Sequence, residues 1–308
     1  MGRFDDRATQ PGRGPGDILR WKLGRKDPRP DDFEALDAVR PQLVNGGAQA
    51  LVKPEACAVW IGHATYALRL GGKLLVTDPI WSRSISGAVR RLSPPGIELA
   101  AMPPIDIVLV THDHRDHMDM PTLAQLPGDA VYVTGVGNGA RLTRLGKPNV
   151  VELDWWESHQ LETLELTFVP ARHWSMRMPW NRNDALWGGF VIRGPEGVAY
   201  HSGDTAWGEH FAEIGSRCPG IDWAMLPIGG YSPRWFMSTQ HVDPVEAAQG
   251  FEALGAKNLF AMHWGTFRLT DEAVGEPVAK LRAWWDAHHV APERLWIPDL
   301  GESRRLRI

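Results

Sequence analysis

Short apolar runs broken by glycine dominate the chain from about residue 56 onward, and their period is two rather than 3.6. Ala58-Val59-Trp60-Ile61 reads as a strand that Gly62 ends. Tyr66 to Leu70 and Lys73 to Thr77 flank Gly71-Gly72, the pairing expected of a hairpin whose turn needs positive φ. Ile105 to Val110 is a β-branched run of the kind a buried strand carries. Ala130–Thr134, Val150–Leu153, Leu164–Val169, Leu186–Arg193, Val198–His201, Ile221–Ile228 and Asn258–Met262 extend the series. Helices are expected at Pro121–Leu126, at Asn138–Leu145 before Gly146, after the Asp243-Pro244 cap to about Leu254, and at Glu276–His288. Strands with helices interspersed at the ends of two halves predict an α+β fold, two packed sheets with helices outside.

Residues 1–54 break this texture. They are rich in Gly, Pro, Arg and Asp, and read as an N-terminal arm or lid with one short helix near Asp32 to Val39. Residues 55–308 then form a single catalytic domain, long enough to bury a large core. A net charge of −4 gives no reason to expect a nucleic-acid partner. The two cysteines, Cys57 and Cys218, sit in apolar surroundings, which argues against a disulfide framework and for a reducing compartment. No apolar run reaches bilayer length, so the expected location is cytoplasmic, with peripheral membrane contact left open. Tryptophan is the compositional outlier at 15 residues.

The chemistry concentrates where strands end. Thr111-His112-Asp113-His114-Arg115-Asp116-His117 follows the Ile105–Val110 run. On extended chain, alternate residues share a side, so His112 and His114 can face one ion while Asp116 and His117, past the bend, face another. Asp113 and Arg115 then point away. His173, Asp204 and His263 each follow a predicted strand as well. Strand ends gathered at one rim would bring seven ligand-type side chains to one cleft. Imidazole and carboxylate donors without thiolate suit Zn²⁺, with Mn²⁺ or Fe²⁺ as alternatives.

This set resembles the metallo-β-lactamase superfamily. The longer blocks Gly62-His63-Ala64-Thr65, Thr77-Asp78-Pro79-Ile80, Tyr231 to Met237, Gln240 to Pro244 and His263 to Phe267 resemble its N-acylphosphatidylethanolamine-hydrolysing phospholipase D branch. The resemblance implies a four-layer αββα sandwich with two Zn²⁺ per chain. It implies His112, His114 and His173 on the first ion, Asp116, His117 and His263 on the second, and Asp204 bridging both. It also implies a phosphodiesterase of phospholipase D type that attacks N-acyl phosphatidylethanolamine, or a related phosphodiester, with a metal-bridging hydroxide. A lactonase or other carboxylic ester or amide hydrolase is the alternative on the same site. A non-catalytic metal-binding protein is the third reading.

Around those ligands, His241 is expected to stabilise a phosphoryl oxygen or leaving group, with Asp116 and Asp204 as its catalytic companions. His63 and Asp78 are expected to orient the metal loop. Trp174, Met176, Met178, Trp180 and Trp187, together with Trp235, Phe236 and Met237, would wall an apolar substrate groove beside Gln240, with Arg172, Arg177, Arg182 and Arg234 meeting phosphate. The same tryptophan-rich loops could instead pack as a homodimer surface. His159, His201, His210, His288 and His289 carry no supporting pattern and read as surface or packing residues.

Overall fold

In this computed structural model, residues 2–8, 14–24 and 26–307 are described; positions 9–13 of the arm and residue 25 lie outside that set. The arm carries α1 (Pro15–Lys22), α2 (Phe33–Asp37) and α3 (Gly47–Val52). Then follow β1 (Cys57–Gly62), β2 (Thr65–Leu70), β3 (Lys73–Thr77), the small hairpin β4 (Ser84–Ile85) and β5 (Val89–Arg90), β6 (Ile107–Val110), α4 (Met120–Gln125), β7 (Val131–Gly135), α5 (Gly139–Arg144) and β8 (Val150–Leu153). The second half has β9 (Ser158–Leu161), β10 (Leu164–Val169), β11 (Gly189–Gly194), β12 (Gly197–His201), α6 (His210–Arg217), β13 (Trp223–Pro227), α7 (Arg234–Met237), α8 (Pro244–Ala253), β14 (Asn258–Met262), α9 (Glu276–Ala287), β15 (Leu295–Trp296) and β16 (Ser303–Arg305).

Among the described residues these strands make two seven-stranded mixed sheets, ordered β16-β1-β2-β3-β6-β7-β8 and β15-β14-β13-β12-β11-β10-β9. Period-two patterning decides which faces meet. In β1, Ala58 and Trp60 face the second sheet, where Leu166, Phe168, Phe190 and Ile192 lie, while Cys57, Val59 and Ile61 face outward onto Leu51 of α3, Leu123 of α4 and Leu142 of α5. Helices α6, α8 and α9 cover the far side of the second sheet through Phe211, Ile214, Phe251, Leu281 and Trp285. The result is the expected αββα sandwich. The Tyr66 hydroxyl, donating to the Ala261 carbonyl at 2.8 Å, ties one sheet to the other.

Strand direction is what builds the site. β3, β6 and β7 run parallel, as do β12, β13 and β14; β1 is two antiparallel steps from β3, and β10 two from β12, so they share those directions. Their C-terminal ends therefore open on one edge. His63 follows β1, Asp78 follows β3, the His112 loop follows β6, His173 follows β10, Asp204 follows β12 and His263 follows β14.

Predicted and observed bounds differ mostly by one to three residues, and the differences of substance lie where the pattern is weak. β9 is a polar edge strand of Ser158, His159, Gln160 and Leu161, exposed at alternate positions, and carries no apolar run. The two-residue β15 and the polar β16 also lack a usable signal, whereas α6 carries one, an apolar face with Phe211 and Ile214 three residues apart, that the sequence reading did not use. In the arm, α1 begins in Pro-Gly, a pair that reads as a turn, and α3 begins at Gly46-Gly47. α3 packs on β1 and puts the fully buried Leu51 into the outer cluster of the first sheet.

Phe168 lies wholly buried between the sheets, 5.0 Å from Phe190 ring to ring. Phe168→Ala should destabilise the fold by about 3–5 kcal/mol through lost burial and the cavity left behind. The check is a lower urea midpoint at unchanged slope; an unchanged midpoint would show that the sheets do not depend on this contact.

Candidate metal centre

Two sets of side chains converge at the open edge. In the first, His112 Nε2 and His173 Nε2 lie 3.0 and 3.1 Å from His114 Nδ1, and both lie about 4 Å from Asp204, at 4.0 and 3.9 Å from Oδ2. In the second, His117 Nε2 is 3.6 Å from Asp116 Oδ2, and His263 Nε2 is 3.8 Å from that same oxygen. Asp204 belongs to both: Oδ2 is 3.1 Å from His117 Nε2 and Oδ1 is 3.2 Å from His263 Nε2. All seven residues expected from the sequence are brought together: ligand-type atoms of His112, His114, His173 and Asp204 lie within 4.8 Å of one another, as do those of Asp116, His117 and His263 together with His63, and those of Asp204 and His263 together with His241.

Whether the set fits a cation can be tested on its unmet polar atoms. His117 Nε2, His263 Nε2 and Asp204 Oδ1 are buried and make no hydrogen bond. The nitrogens touch carboxylate oxygens off the hydrogen-bond line, so they aim at common points between them rather than at each other. Buried polar atoms left this way are costly unless something else satisfies them, and a divalent cation would. The donor set fits.

Neighbours fix which nitrogen of each ring faces inward. Asp78 Oδ2 accepts from Thr111 Oγ1 at 2.7 Å and from His117 Nδ1 at 2.7 Å, and Oδ1 accepts from the Thr111 amide at 2.8 Å. The Thr111 hydroxyl, its proton given to Asp78, can only accept from His112 Nδ1 at 3.0 Å. His173 Nδ1 donates to the Gln240 carbonyl at 2.9 Å. In all three rings Nε2 is the nitrogen that faces the centre, with a lone pair at His112 and His173 and, at His117, one that a bound cation would use in place of a proton. His63 Nε2 meets Asp116 Oδ2 at 3.1 Å, so it too orients a ligand-type group, as does Asp78. Thr111 and the Gln240 main chain are orienting groups that the sequence reading missed. Thr111 opens the histidine loop and was within reach; a backbone carbonyl leaves no mark in sequence.

The backbone is strained at the same place. His63, Asp78 and His263 adopt positive φ of 55°, 37° and 63°, a region L-residues seldom occupy. Gly203, at φ +59°, lets the Asp204 turn pass behind Thr111, whose Cβ would lie 2.7 Å from an added methyl. Gly230, at φ +84°, leaves room beside His263 and His241, whose ring atoms would lie 3.2–3.4 Å from one.

Charge divides the imidazoles into two kinds. Burial, reinforced by neighbouring rings, holds His112 well below its ordinary value and brings His63 and His173 down to about 3. Burial, partly opposed by the nearby carboxylates, puts His114 at about 4 and His241 at about 3. At His117 and His263 burial is overcome by carboxylates: Asp204, Asp116 and Asp78 lift His117 well above the ordinary value, and Asp204 with Asp116 lifts His263 to about 9. Without a cation, those two rings supply the positive charge that the carboxylates need.

Beyond the ligand-type groups, the sequence expectations divide. His241 lies at the rim, its Nδ1 3.9 Å from Asp204 Oδ2 and its ring 5.2 Å from His173. Trp174 packs edge-on to His114 at 4.6 Å, donates to Gln240 Oε1 at 2.6 Å, and carries the Arg182 guanidinium over its face. Trp180 is 76% exposed. The groove wall needs correction. Trp187 is buried and donates to the Ala171 carbonyl, and Phe236 and Met237 are buried against Trp21 of the arm, with Trp235 packed alongside. The phosphate role is corrected for two arginines. Arg177 Nη1 donates to the Asp113 and Met118 carbonyls at 3.0 and 2.9 Å, stapling the two ends of the histidine loop. Arg234 pairs with Glu246 at 2.8 Å and Asp243 at 3.6 Å and donates to the His241 carbonyl, a positioning rather than phosphate-facing arrangement. Arg172 Nη1 donates to the Trp207 carbonyl. Asp113 faces away from the centre onto Arg141 at 3.2 Å, and Arg115 is exposed. His201 and His210 are buried packing groups, bonded to the Ala64 carbonyl and the Thr205 hydroxyl.

Comparison with known proteins agrees with this geometry. Residues 74–264 match the β-lactamase superfamily domain. An uncharacterised protein of Mycobacterium tuberculosis is 36% identical, over 89% of this chain and 74% of its own length. N-acyl-phosphatidylethanolamine-hydrolyzing phospholipase D 1 of Caenorhabditis elegans is 32% identical, over 89% of this chain and 82% of its own. The crystal structure of a possible metal-dependent hydrolase from Veillonella parvula superposes with a TM-score of 0.67 at 15% identity, over 82% of this chain and all of that one. The chain belongs to the β-lactamase superfamily and has the class of a metal-dependent hydrolase. Within it, the relatives include N-acyl-phosphatidylethanolamine-hydrolysing phospholipases D, the branch its sequence blocks resemble.

Two outcomes follow for the metal-free protein. His63, His114, His173 and His241 take up protons in the unfolded chain below about 6.5 but in the fold only near 3 to 4, so stability falls as pH drops below 6.5. His263, raised to about 9, adds stability that is full below 6.5 and lost as pH rises through 9. Melting temperature of chelator-treated protein should peak near pH 6.5 and fall on either side; a steady rise from pH 6 to pH 10 would contradict the charge balance. Separately, Arg177→Met should loosen the histidine loop and weaken metal binding about 10- to 100-fold in chelator competition. Unchanged affinity would remove Arg177 from the site.

Proposed function

We propose that this chain is a zinc-dependent phosphodiesterase of phospholipase D type, cleaving N-acyl phosphatidylethanolamine or a related phosphodiester. The observation that carries the reading is Asp204, which lies between two sets of imidazoles: Oδ2 is 4.0 and 3.9 Å from His112 and His173 and 3.1 Å from His117, and Oδ1 is 3.2 Å from His263. One carboxylate shared this way suits two cations, with His112, His114 and His173 on one side and Asp116, His117 and His263 on the other. Such a pair of divalent ions, when bound, makes a water acidic enough to ionise near neutral pH and polarises the oxygen of the group attacked.

The chain's own residues do the rest. Two carboxylates among neutral rings leave the loaded cleft with net positive charge, which draws an anionic phosphodiester over a neutral ester. His241, neutral and at the rim, offers one ring N–H to a phosphoryl or leaving-group oxygen while Asp204 stays ionised below it. Trp174 with Arg182, and the exposed Trp180, form an edge that takes an apolar substrate body and leaves its charged group over the rings. The name of the nematode relative supports a lipid phosphodiester in particular. In this reading residues 1–54 are an arm on a catalytic domain of residues 55–308, acting in the cytoplasm at the membrane periphery; among the described residues no helix is long and apolar enough to cross a membrane.

Purified protein reconstituted with zinc should hydrolyse bis(p-nitrophenyl) phosphate and N-acyl phosphatidylethanolamine in preference to a lactone or a β-lactam. Turnover of the carboxyl substrates alone would overturn the phosphodiesterase reading. Asp204→Asn should lower zinc content and rate together, the rate by on the order of 100-fold or more. Full zinc occupancy in that variant would contradict a shared carboxylate.

A further inference from the structure

The loop from Tyr231 to His241 supplies two groups to the site, His241 itself and the Gln240 carbonyl that orients His173. Its own support is unusual. Among the described residues, the apolar side chains of α7, Phe236 and Met237, form a buried cluster with Trp21 of α1 and with Trp235 that is separate from the main core. Trp21 and Phe236 rings lie 5.0 Å apart, and Trp21 Nε1 donates to Asp271 Oδ2 at 2.6 Å. Asp271 in turn donates its amide to the Ser232 carbonyl. Asp27 grips the start of the loop from the other side: one oxygen, Oδ2, accepts from the Arg234 amide at 2.7 Å and from Ser232 Oγ at 3.1 Å.

From there the path to the site is short. The Arg234 guanidinium donates to the His241 carbonyl at 3.0 Å and is itself held by Glu246 in the first turn of α8. The Gln240 and His241 amides both bond back to the Met237 carbonyl at 2.9 Å. Shifting α7 therefore shifts the Gln240 carbonyl and the His241 ring together.

We propose that Trp21 and Asp27 are positioning residues: the N-terminal arm clamps the Tyr231–His241 loop and so sets His241 and the orientation of His173. A lid that opens and closes would rest on the loop by weak, separable contacts. Here a carboxylate accepting two hydrogen bonds holds its start and a buried indole its middle, and the arm is a fixed part of the site. The proposal depends on His173 and His241 belonging to the site and not on the identity of the substrate.

The test uses the full chain with Trp21→Ala, Asp27→Ala and the conservative Trp21→Phe. Amide hydrogen exchange across 231–241 should quicken about tenfold or more in the first two, with the neighbouring strand β13 unchanged. Zinc affinity in chelator competition should fall about tenfold, the scale seen when a group orienting a ligand is disturbed. With bis(p-nitrophenyl) phosphate, kcat should drop about tenfold or more while KM stays within about twofold, as expected of misplacement rather than lost binding. Trp21→Phe keeps the ring and should recover most of the loss. Unchanged exchange in 231–241, or unchanged zinc affinity in both Trp21→Ala and Asp27→Ala, overturns the clamp. Should Trp21→Ala fail to fold, Asp27→Ala, which removes the acceptor of the Arg234 amide and the Ser232 hydroxyl, decides alone. If no phosphodiester is turned over, exchange and zinc affinity still decide the clamp, so the two readings fail separately.

Discussion

Asp204 is an ionised carboxylate with 3% of its side chain exposed, and the arrangement of the open edge answers the problem of balancing its charge. A buried carboxylate is tolerable only with a positive partner and with its lone pairs met. Two rings, His117 and His263, are drawn toward it and toward Asp116, and their proton affinity rises accordingly. Three others, His112, His114 and His173, are kept neutral by burial and crowding on the opposite side. Protons and cations are thus alternative occupants of one electrostatic demand, and a site of this kind exchanges one for the other.

Orientation is imposed from behind. Asp78 and Thr111 settle the tautomers of His117 and His112, the Gln240 carbonyl that of His173, and Arg177 draws the ends of the histidine loop to one guanidinium. Positive φ at His63, Asp78 and His263 is stable only because surrounding contacts over-determine it: the His63 amide donates to Thr266 Oγ1, and the His263 amide to the His63 carbonyl. These restraints come from both sheets and hold the edge as one unit. The inter-sheet core, with Trp60, Tyr66, Phe168 and Phe190, supplies the rigidity against which such strain can be kept.

The arm extends this logic outward. α3 is part of the layer over the first sheet, through Leu51, whereas Trp21 and Asp27 act on the loop beside the site. One segment therefore contributes to packing at one end and to positioning at the other. Of the aromatic residues expected to wall a groove, Trp174 lies beside His114 under Arg182 and Trp180 is exposed, while Trp187, Phe236 and Met237 are packing residues.

Most of the strands and helices between residues 57 and 288 were legible in the sequence, β9 and α6 excepted, as was the placing of histidine and carboxylate groups just after predicted strands; the αββα class came with the resemblance of the longer blocks to a known superfamily. The local signals are apolar β-branched runs, an Asp243-Pro244 cap, and histidines placed just after those runs. The sequence did not distinguish Arg234 or Arg177 as positioning groups from arginines that meet substrate, because a guanidinium reads the same in either role until its partners are known. Nor did it separate a tryptophan that lines a groove from one that fills a core. Only the tertiary structure decided that six strands of common direction end at one edge, that Asp204 faces both sets of rings, and that the arm's Trp21 covers α7. Each of those depends on contacts between separate elements, from 31 positions apart for His173 and Asp204 to 215 for Trp21 and Phe236, and such pairings leave no trace in the local order of the chain.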